Sequence, residues 1–266
     1  MQKLAWGTPH PGHLVYLIDL SGSMEEHNKV QDVMSVVFEC LDNLVARCTV
    51  MASIKERFSL TVIGYNSEVI PLFKGGVEQV DELLSMRYGQ PLFDINGVAK
   101  PQWQTYMADA FDAAREDVEQ WIKDQRAKGM PVPVPIVINI TDGHPEEYQR
   151  TEAQSTERAL EAAQRLMQVR ADDSNTLLFN IHYEPASGTA ELILPKTEPA
   201  DTRRRFLYNA SSVLNADDVN VARAKGLEQA VPGCHGMVSN AQDKKLLLNF
   251  VEMASSLGTG EKPKTE

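Results

Sequence analysis

Asp19, Ser21 and Ser23 form an Asp-x-Ser-x-Ser pattern at the end of an apolar run, HLVYLIDLSGSM, which begins at His13. One carboxylate and two hydroxyls on a tight turn around Gly22 make an all-oxygen cluster, the chemistry that hard divalent cations such as Mg²⁺ select. Neither serine lies in Gly-x-Ser-x-Gly, so the arrangement points to a metal ligand and not to a hydrolase nucleophile. Taken alone, the same residues serve equally well as a helix N-cap.

Such a cluster needs elements to hold it. The apolar runs alternate between strand-like and helix-like periods, the signature of a parallel sheet covered by helices. Residues 14–18, 60–65, 134–140 and 177–183 are short and rich in Val, Ile, Leu and aromatics, as strands buried on both faces must be. Helical stripes follow: Val30 to Cys48, Met107 to Ile122, Ala159 to Met167 and Leu247 to Ala254. Gly64 to Glu68 reads as the turn of a hairpin that adds an antiparallel edge strand over 69–73. Two stretches lack a period, a long loop over 88–104 and a Pro-containing segment over 184–205. The expected organisation is one domain over 1–257 with a disordered tail over 258–266.

In an open parallel sheet, ligands bind beyond the carboxyl ends of the strands. Asp19 ends the first strand, and Asp142 ends the buried run PIVINITDGHP that starts at Pro135. Thr105, where the long loop enters the Met107 helix, brings a hydroxyl to the same edge. Individually Thr-Asp-Gly is a turn and Thr105 a helix cap; together they place two carboxylates and three hydroxyls at one crevice. Two carboxylates balance a dication, while hydroxyls and waters complete the octahedron that Mg²⁺ prefers at about 2.0–2.1 Å.

Asp-x-Ser-x-Ser, then Thr, then the Asp of Thr-Asp-Gly, closely resembles the von Willebrand factor A domains with their metal-ion-dependent adhesion site. The resemblance covers nearly the whole chain. It implies a Rossmann-like α/β fold, with a mostly parallel sheet, one antiparallel edge strand and helices on both faces. It also implies Mg²⁺, replaceable by Mn²⁺ or Ca²⁺, held by Asp19, Ser21, Ser23, Thr105 and Asp142. The stretches VYLIDLSGSM, VIGYNSEV, IVINITDGHP, LLFNIHYEP, RRRFLYNASSVL and GCHGMVSNA look most like stand-alone bacterial members encoded in tellurite-resistance regions. One departure stands before Thr105: the family commonly has Gly-Gly-Thr-Pro-Met, whereas Gln102-Trp-Gln-Thr-Tyr-Met107 occurs here. Trp103 or Tyr106 then shapes the rim.

The implied function is a metal-dependent protein–protein interaction module, not an enzyme, that captures a Glu or Asp of a partner in a stress or conflict system. A protein kinase, a phosphatase or an AAA+ ATPase is the kind of partner implied. Two alternatives are a metal-dependent phosphohydrolase or phosphotransferase, with Asp142 activating water, and a regulatory subunit of a MoxR or chelatase-type ATPase. The first needs a positioned base or a cationic phosphate clamp, and no Lys or Arg lies in the motif loops themselves. No phosphate-binding Gly-rich motif occurs, and Ser21 stands where aspartyl-phosphate enzymes carry a second acid.

Composition sets the outer limits. Lys and Arg number 26 against 37 Asp and Glu, a formal charge of −11, which argues against nucleic acid and anionic membranes as partners. No run reaches the roughly 20 apolar residues of a bilayer span, and no apolar leader precedes the first strand, so the expected location is cytoplasmic. Cys40, Cys48 and Cys234 are expected to be free thiols. His10 and His13 are spaced His-x-x-His but lack companions and read as solvated, as does the acidic set Glu146, Glu147, Glu152, Glu157 and Glu161. His144 reads as a loop histidine beside the crevice.

Overall fold

A computed structural model describes residues 4–95 and 104–258. Two short strands, β2 (Thr49–Val50) and β3 (Ser53–Ile54), pair as a separate antiparallel ribbon, and the other seven strands form one sheet in the order β5-β4-β1-β6-β7-β9-β8. Its centre is β1 (Gly12–Asp19), paired in parallel with β4 (Phe58–Tyr65) on one side and β6 (Ile136–Thr141) on the other. Parallel pairing continues from β6 to β7 (Leu177–Tyr183) and β9 (Met237–Ala241). The hairpin strand β5 (Val69–Gly76) runs antiparallel at one edge, and the two-residue β8 (Leu192–Ile193) runs antiparallel on β9 at the other.

Every residue of β1 and β6 is buried, which explains why their apolar residues run without alternation: helices cover both faces. On one face, Tyr16, Ile18, Leu60 and Ile138 pack against α1 (Lys29–Cys48), α2 (Val77–Met86), α6 (Ala216–Ala224) and α7 (Lys244–Ser256). On the other, Val15, Leu17, Val137 and Leu178 meet α3 (Met107–Ala127), α4 (Glu152–Gln168) and α5 (Thr202–Asn209). The chain leaves β1 toward β4 and leaves β6 toward β7, so its direction across the sheet reverses between these two neighbours. That reversal opens a crevice beyond their carboxyl ends.

The helical stripe from Val30 to Cys48 is α1; a 3₁₀ segment, Gly22–Asn28, precedes it, and its last residues His27 (φ 52°) and Asn28 (φ 58°) adopt left-handed backbone. Asn and His are among the non-glycine residues that tolerate this region best. His13 is buried, not solvated. Its ring stacks on Trp121, its Nδ1 lies 2.8 Å from Ser59 Oγ, and its Nε2 lies 2.8 Å from Asp117. Glu147 is likewise buried and ion-paired with Arg150 and Arg158. Gly258 is packed, its carbonyl accepting the Trp6 N–H, while 259–266 lie outside the described residues. All three cysteines are free and buried, and burial pushes the Cys48 thiol up to about 11.

Below the crevice, a buried polar chain crosses three strands. The Tyr65 hydroxyl donates to Asn139 Oδ1 (2.8 Å), Asn139 Nδ2 donates to Asn180 Oδ1 (3.0 Å), and Asn180 Nδ2 donates to the Ala210 carbonyl (2.8 Å). Asn139 and Asn180 are register partners, so the pairing is fixed by the β6–β7 ladder. Asn139→Ala removes the acceptor of the Tyr65 hydroxyl and the donor to Asn180 Oδ1 in a dry layer and is expected to cost about 3 kcal/mol. The check is a lower urea midpoint with an unchanged slope.

Candidate functional site

Asp19 closes β1 with its side chain buried at the crevice. Its Oδ1 accepts the Ser21 N–H at 2.8 Å and its Oδ2 accepts the Thr141 hydroxyl at 2.6 Å. Ser21 Oγ lies 3.3 Å from Ser23 Oγ, and Ser23 Oγ donates to Asp142 Oδ1 at 2.8 Å. The two carboxylates, though 123 positions apart in the chain (142 − 19), are thus joined through the serine hydroxyls.

Thr105 reaches the same place by a different device from the flexible glycines of the resemblance. It forms a two-way backbone bridge with Glu146, N–H to carbonyl at 2.9 and 3.1 Å, which ties its loop to the one carrying Asp142. Tyr106 anchors the next position, donating its N–H to the Asn66 carbonyl (2.8 Å) and accepting the Tyr148 N–H on its hydroxyl (3.2 Å). Trp103 lies outside the described residues. A Cβ placed on Gly143 would sit 3.4 Å from Thr105 Oγ1 and 3.7 Å from both Asp19 Oδ2 and Thr141 Oγ1. Glycine at this position therefore keeps open a small cradle walled by three site oxygens.

Asp19, Ser21, Ser23, Thr105 and Asp142 are all brought to this crevice. Four contributors lie outside the set the sequence pointed to: Thr141, Lys29, Glu184 and His182. Lys29, the first residue of α1, is buried, and its Nζ donates to Asp142 Oδ2 (2.6 Å) and Glu184 Oε2 (2.9 Å). The motif loops thus lack a cation, but the site does not. His182 Nδ1 accepts the Asn240 N–H at 3.1 Å, so its Nε2 carries the proton and donates to the Asp142 carbonyl at 3.0 Å. Asn240 holds a left-handed φ of 55° at an irregular step of the β7–β9 pairing. The sequence carried a partial signal, since Thr141 belongs to Thr-Asp-Gly and His182 interrupts an apolar strand.

The electrostatics follow from burial. Desolvation drives the Asp19 carboxyl up to about 6, against the lowering effect of the Thr141 and Ser21 hydrogen bonds, and nearby Asp142 adds repulsion. For Lys29, burial opposes the charge, but hydrogen bonds from its ammonium to Asp142 and Glu184 outweigh it and raise its pKa. Burial lowers the pKa of His182 and of His144 and favours their neutral forms.

Among the described residues, no three His, Cys, Asp or Glu side chains gather as a metal cluster. A cation here is held by hydroxyls and water beside two carboxylates, or not at all. The donor set fits that role: hard oxygens, balanced charge and the Gly143 cradle. Beside it opens a cleft of about 330 Å³, lined by Asp142, Gly143, His144, Arg203, Arg204 and Asn240. His144 is fixed there by Thr156 Oγ1 at 2.8 Å and by an edge contact with Phe206.

No protein family and no curated protein matches the chain in sequence. Solved structures do. The vWF domain of the type V pili tip protein Mfa5 from Porphyromonas gingivalis superposes with a TM-score of 0.53 at 9% identity, over 96% of this chain and 98% of that one. The pilus adhesin SpaC from Lactobacillus rhamnosus GG gives 0.54 at 11% identity over 96% of this chain. Manganese-loaded Plasmodium vivax TRAP protein gives 0.42 at 21% identity over 65% of this chain. The chain spans 31% of the SpaC chain and 57% of the TRAP chain. With a mostly parallel sheet, helices on both faces and near-complete mutual coverage with the Mfa5 domain, the chain adopts the von Willebrand factor type A fold.

Proposed function

We propose that this protein is a divalent-cation-dependent protein-binding module, and that Asp19, Ser21, Ser23, Thr105 and Asp142 hold the ion. The observation that carries the reading is the convergence of these five side chains on one crevice, with Gly143 leaving open the space beside Thr105 Oγ1 and Asp19 Oδ2. Mg²⁺ bound there supplies an electrophilic centre for an outside carboxylate. Ser21 and Thr141 orient Asp19, Ser23 and Lys29 orient Asp142, and the Thr105–Glu146 bridge fixes the third loop.

Arg203 and Arg204 line the adjoining cleft in a chain whose formal charge is −11, so the rim favours an acidic segment of a partner protein. A bacterial stress or conflict pathway, with a kinase, phosphatase or AAA+ ATPase as partner, is the setting the sequence resemblance suggests; the MoxR or chelatase arrangement differs only in the partner's identity. The phosphohydrolase alternative requires Asp142 to activate water. Asp142 is instead assigned to the ion, and its carboxylate accepts from the Ser23 hydroxyl and the Lys29 ammonium.

Capture from native lysate in Mg²⁺ and again in EDTA tests the reading. Proteins retained by wild type only with Mg²⁺, and not retained by Asp19→Asn, are expected. Retention by Asp19→Asn equal to wild type, or phosphoester turnover that needs Asp142, would overturn it.

A further inference from the structure

Lys29 occupies a position that demands an explanation. Its side chain is 3% exposed, and burying an ammonium costs several kcal/mol unless partners repay it. The partners are Asp142 Oδ2 at 2.6 Å and Glu184 Oε2 at 2.9 Å, contributed by the loops after β6 and β7. His27 and Asn28 take left-handed backbone immediately before α1, whose first residue is Lys29.

Charge counting gives the arrangement a meaning. Asp19, Asp142 and Glu184 contribute three negative charges and Lys29 one positive, which leaves two negative charges for a dication. Lys29 also sits on Asp142, one of the five oxygen donors. An ammonium and a divalent ion that draw on the same carboxylate oppose each other, at close range and away from bulk water.

We infer that Lys29 is an internal counter-cation: it holds Asp142 in place when the divalent ion is absent and lowers the site's affinity for that ion when it arrives, with Glu184 as the ammonium's second anchor. This rests on the metal reading above. Its consequence is a site that stays folded without metal and binds metal reversibly, because the resident charge is partly neutralised in advance.

The test uses the purified 266-residue chain stripped with EDTA, titrated with Mn²⁺ by calorimetry, and melted with and without Mn²⁺. Lys29→Met is expected to bind Mn²⁺ at least about tenfold tighter than wild type. It should also melt lower in EDTA and recover more than wild type does on adding Mn²⁺. A supporting role alone predicts the opposite sign, since damage to the site weakens binding. Glu184→Gln removes the second anchor, concentrates the ammonium on Asp142 and is expected to weaken Mn²⁺ binding. If Lys29→Met does not fold, Glu184→Gln decides by itself. Unchanged or weaker binding by Lys29→Met, or unchanged or tighter binding by Glu184→Gln, overturns the inference and leaves the metal reading standing. Absence of Mn²⁺ binding in wild type and all variants removes both.

Discussion

Asp19→Asn is expected to lose divalent-cation binding by more than about 100-fold and, in EDTA at pH 7, to be at least as stable as wild type. Changes to residues that only support ligands cost roughly 10–100-fold in affinity, and loss of a charged ligand costs more. The stability half of the prediction is the less intuitive one. Asp19 is buried and its carboxyl is pushed up to about 6, so the ionised form is a burden on the metal-free fold. Asparagine keeps an oxygen for the Ser21 N–H and carries no charge, while the Thr141 hydroxyl retains an alternative acceptor in the Gly143 carbonyl at 3.4 Å. Calorimetric titration and melts in EDTA read the two halves separately. Unfolding of the variant, or metal affinity within a few-fold of wild type, would contradict the expectation. Exchange of stability for a charged site is a common feature of functional positions.

The second large effect is a pH dependence that reverses sign with metal. In EDTA the folded state holds a proton on Asp19 up to about pH 6, whereas an unfolded aspartate loses it near its ordinary value of 3.8. Between those values the native state binds more protons, so stability rises as pH falls from 7 toward 4. A shift of this size is worth about 3 kcal/mol at most from this group. With saturating Mg²⁺ the ion holds Asp19 ionised and protons compete with it. The stabilisation that metal confers is then lost as pH falls through about 6. Asp117 works in a different window. Burial alone would raise its carboxyl, but His13, Lys74 and Thr61 hold it below the usual range, so its contribution is present at neutral pH and lost only below about pH 4. Urea denaturation at pH 5 and pH 7, with EDTA and with Mg²⁺, gives four stabilities. Slopes of the same sign in both media would contradict the assignment of Asp19 as a ligand.

Much of the architecture was legible because burial on both faces writes itself into the chain. β1, β4, β6 and β7 appear as largely apolar runs, and α1, α3, α4 and α7 are long enough to show several turns of a stripe. What escaped is short or mixed. α2 follows β5 without a break and buries only Val77, Val80 and Leu84. α5 spans 8 residues with consecutive arginines, and α6 spans 9. The β9 run Met-Val-Ser-Asn-Ala alternates too little to stand out, and β8 has only 2 residues.

The site divides along the same line. Asp19, Ser21 and Ser23 lie within one turn, and Asp142 follows a strand, so local pattern and strand order place them at one sheet edge. Lys29 meets Asp142 across 113 positions of chain and Glu184 across 155, with no motif to announce them. Lys29 opens α1 directly after the left-handed pair His27 and Asn28, a backbone feature that no sequence pattern marks. His13 misled for a related reason: an apparent metal-binding spacing with His10 concealed a strand residue whose partner, Asp117, comes from α3.

The most direct measurement is titration of Mg²⁺ and of Mn²⁺ into EDTA-stripped wild type and Asp19→Asn, followed by calorimetry at pH 7.5. The account predicts one saturable site per chain in wild type that is absent in Asp19→Asn; no saturable site in wild type, or an equal one in Asp19→Asn, would contradict it.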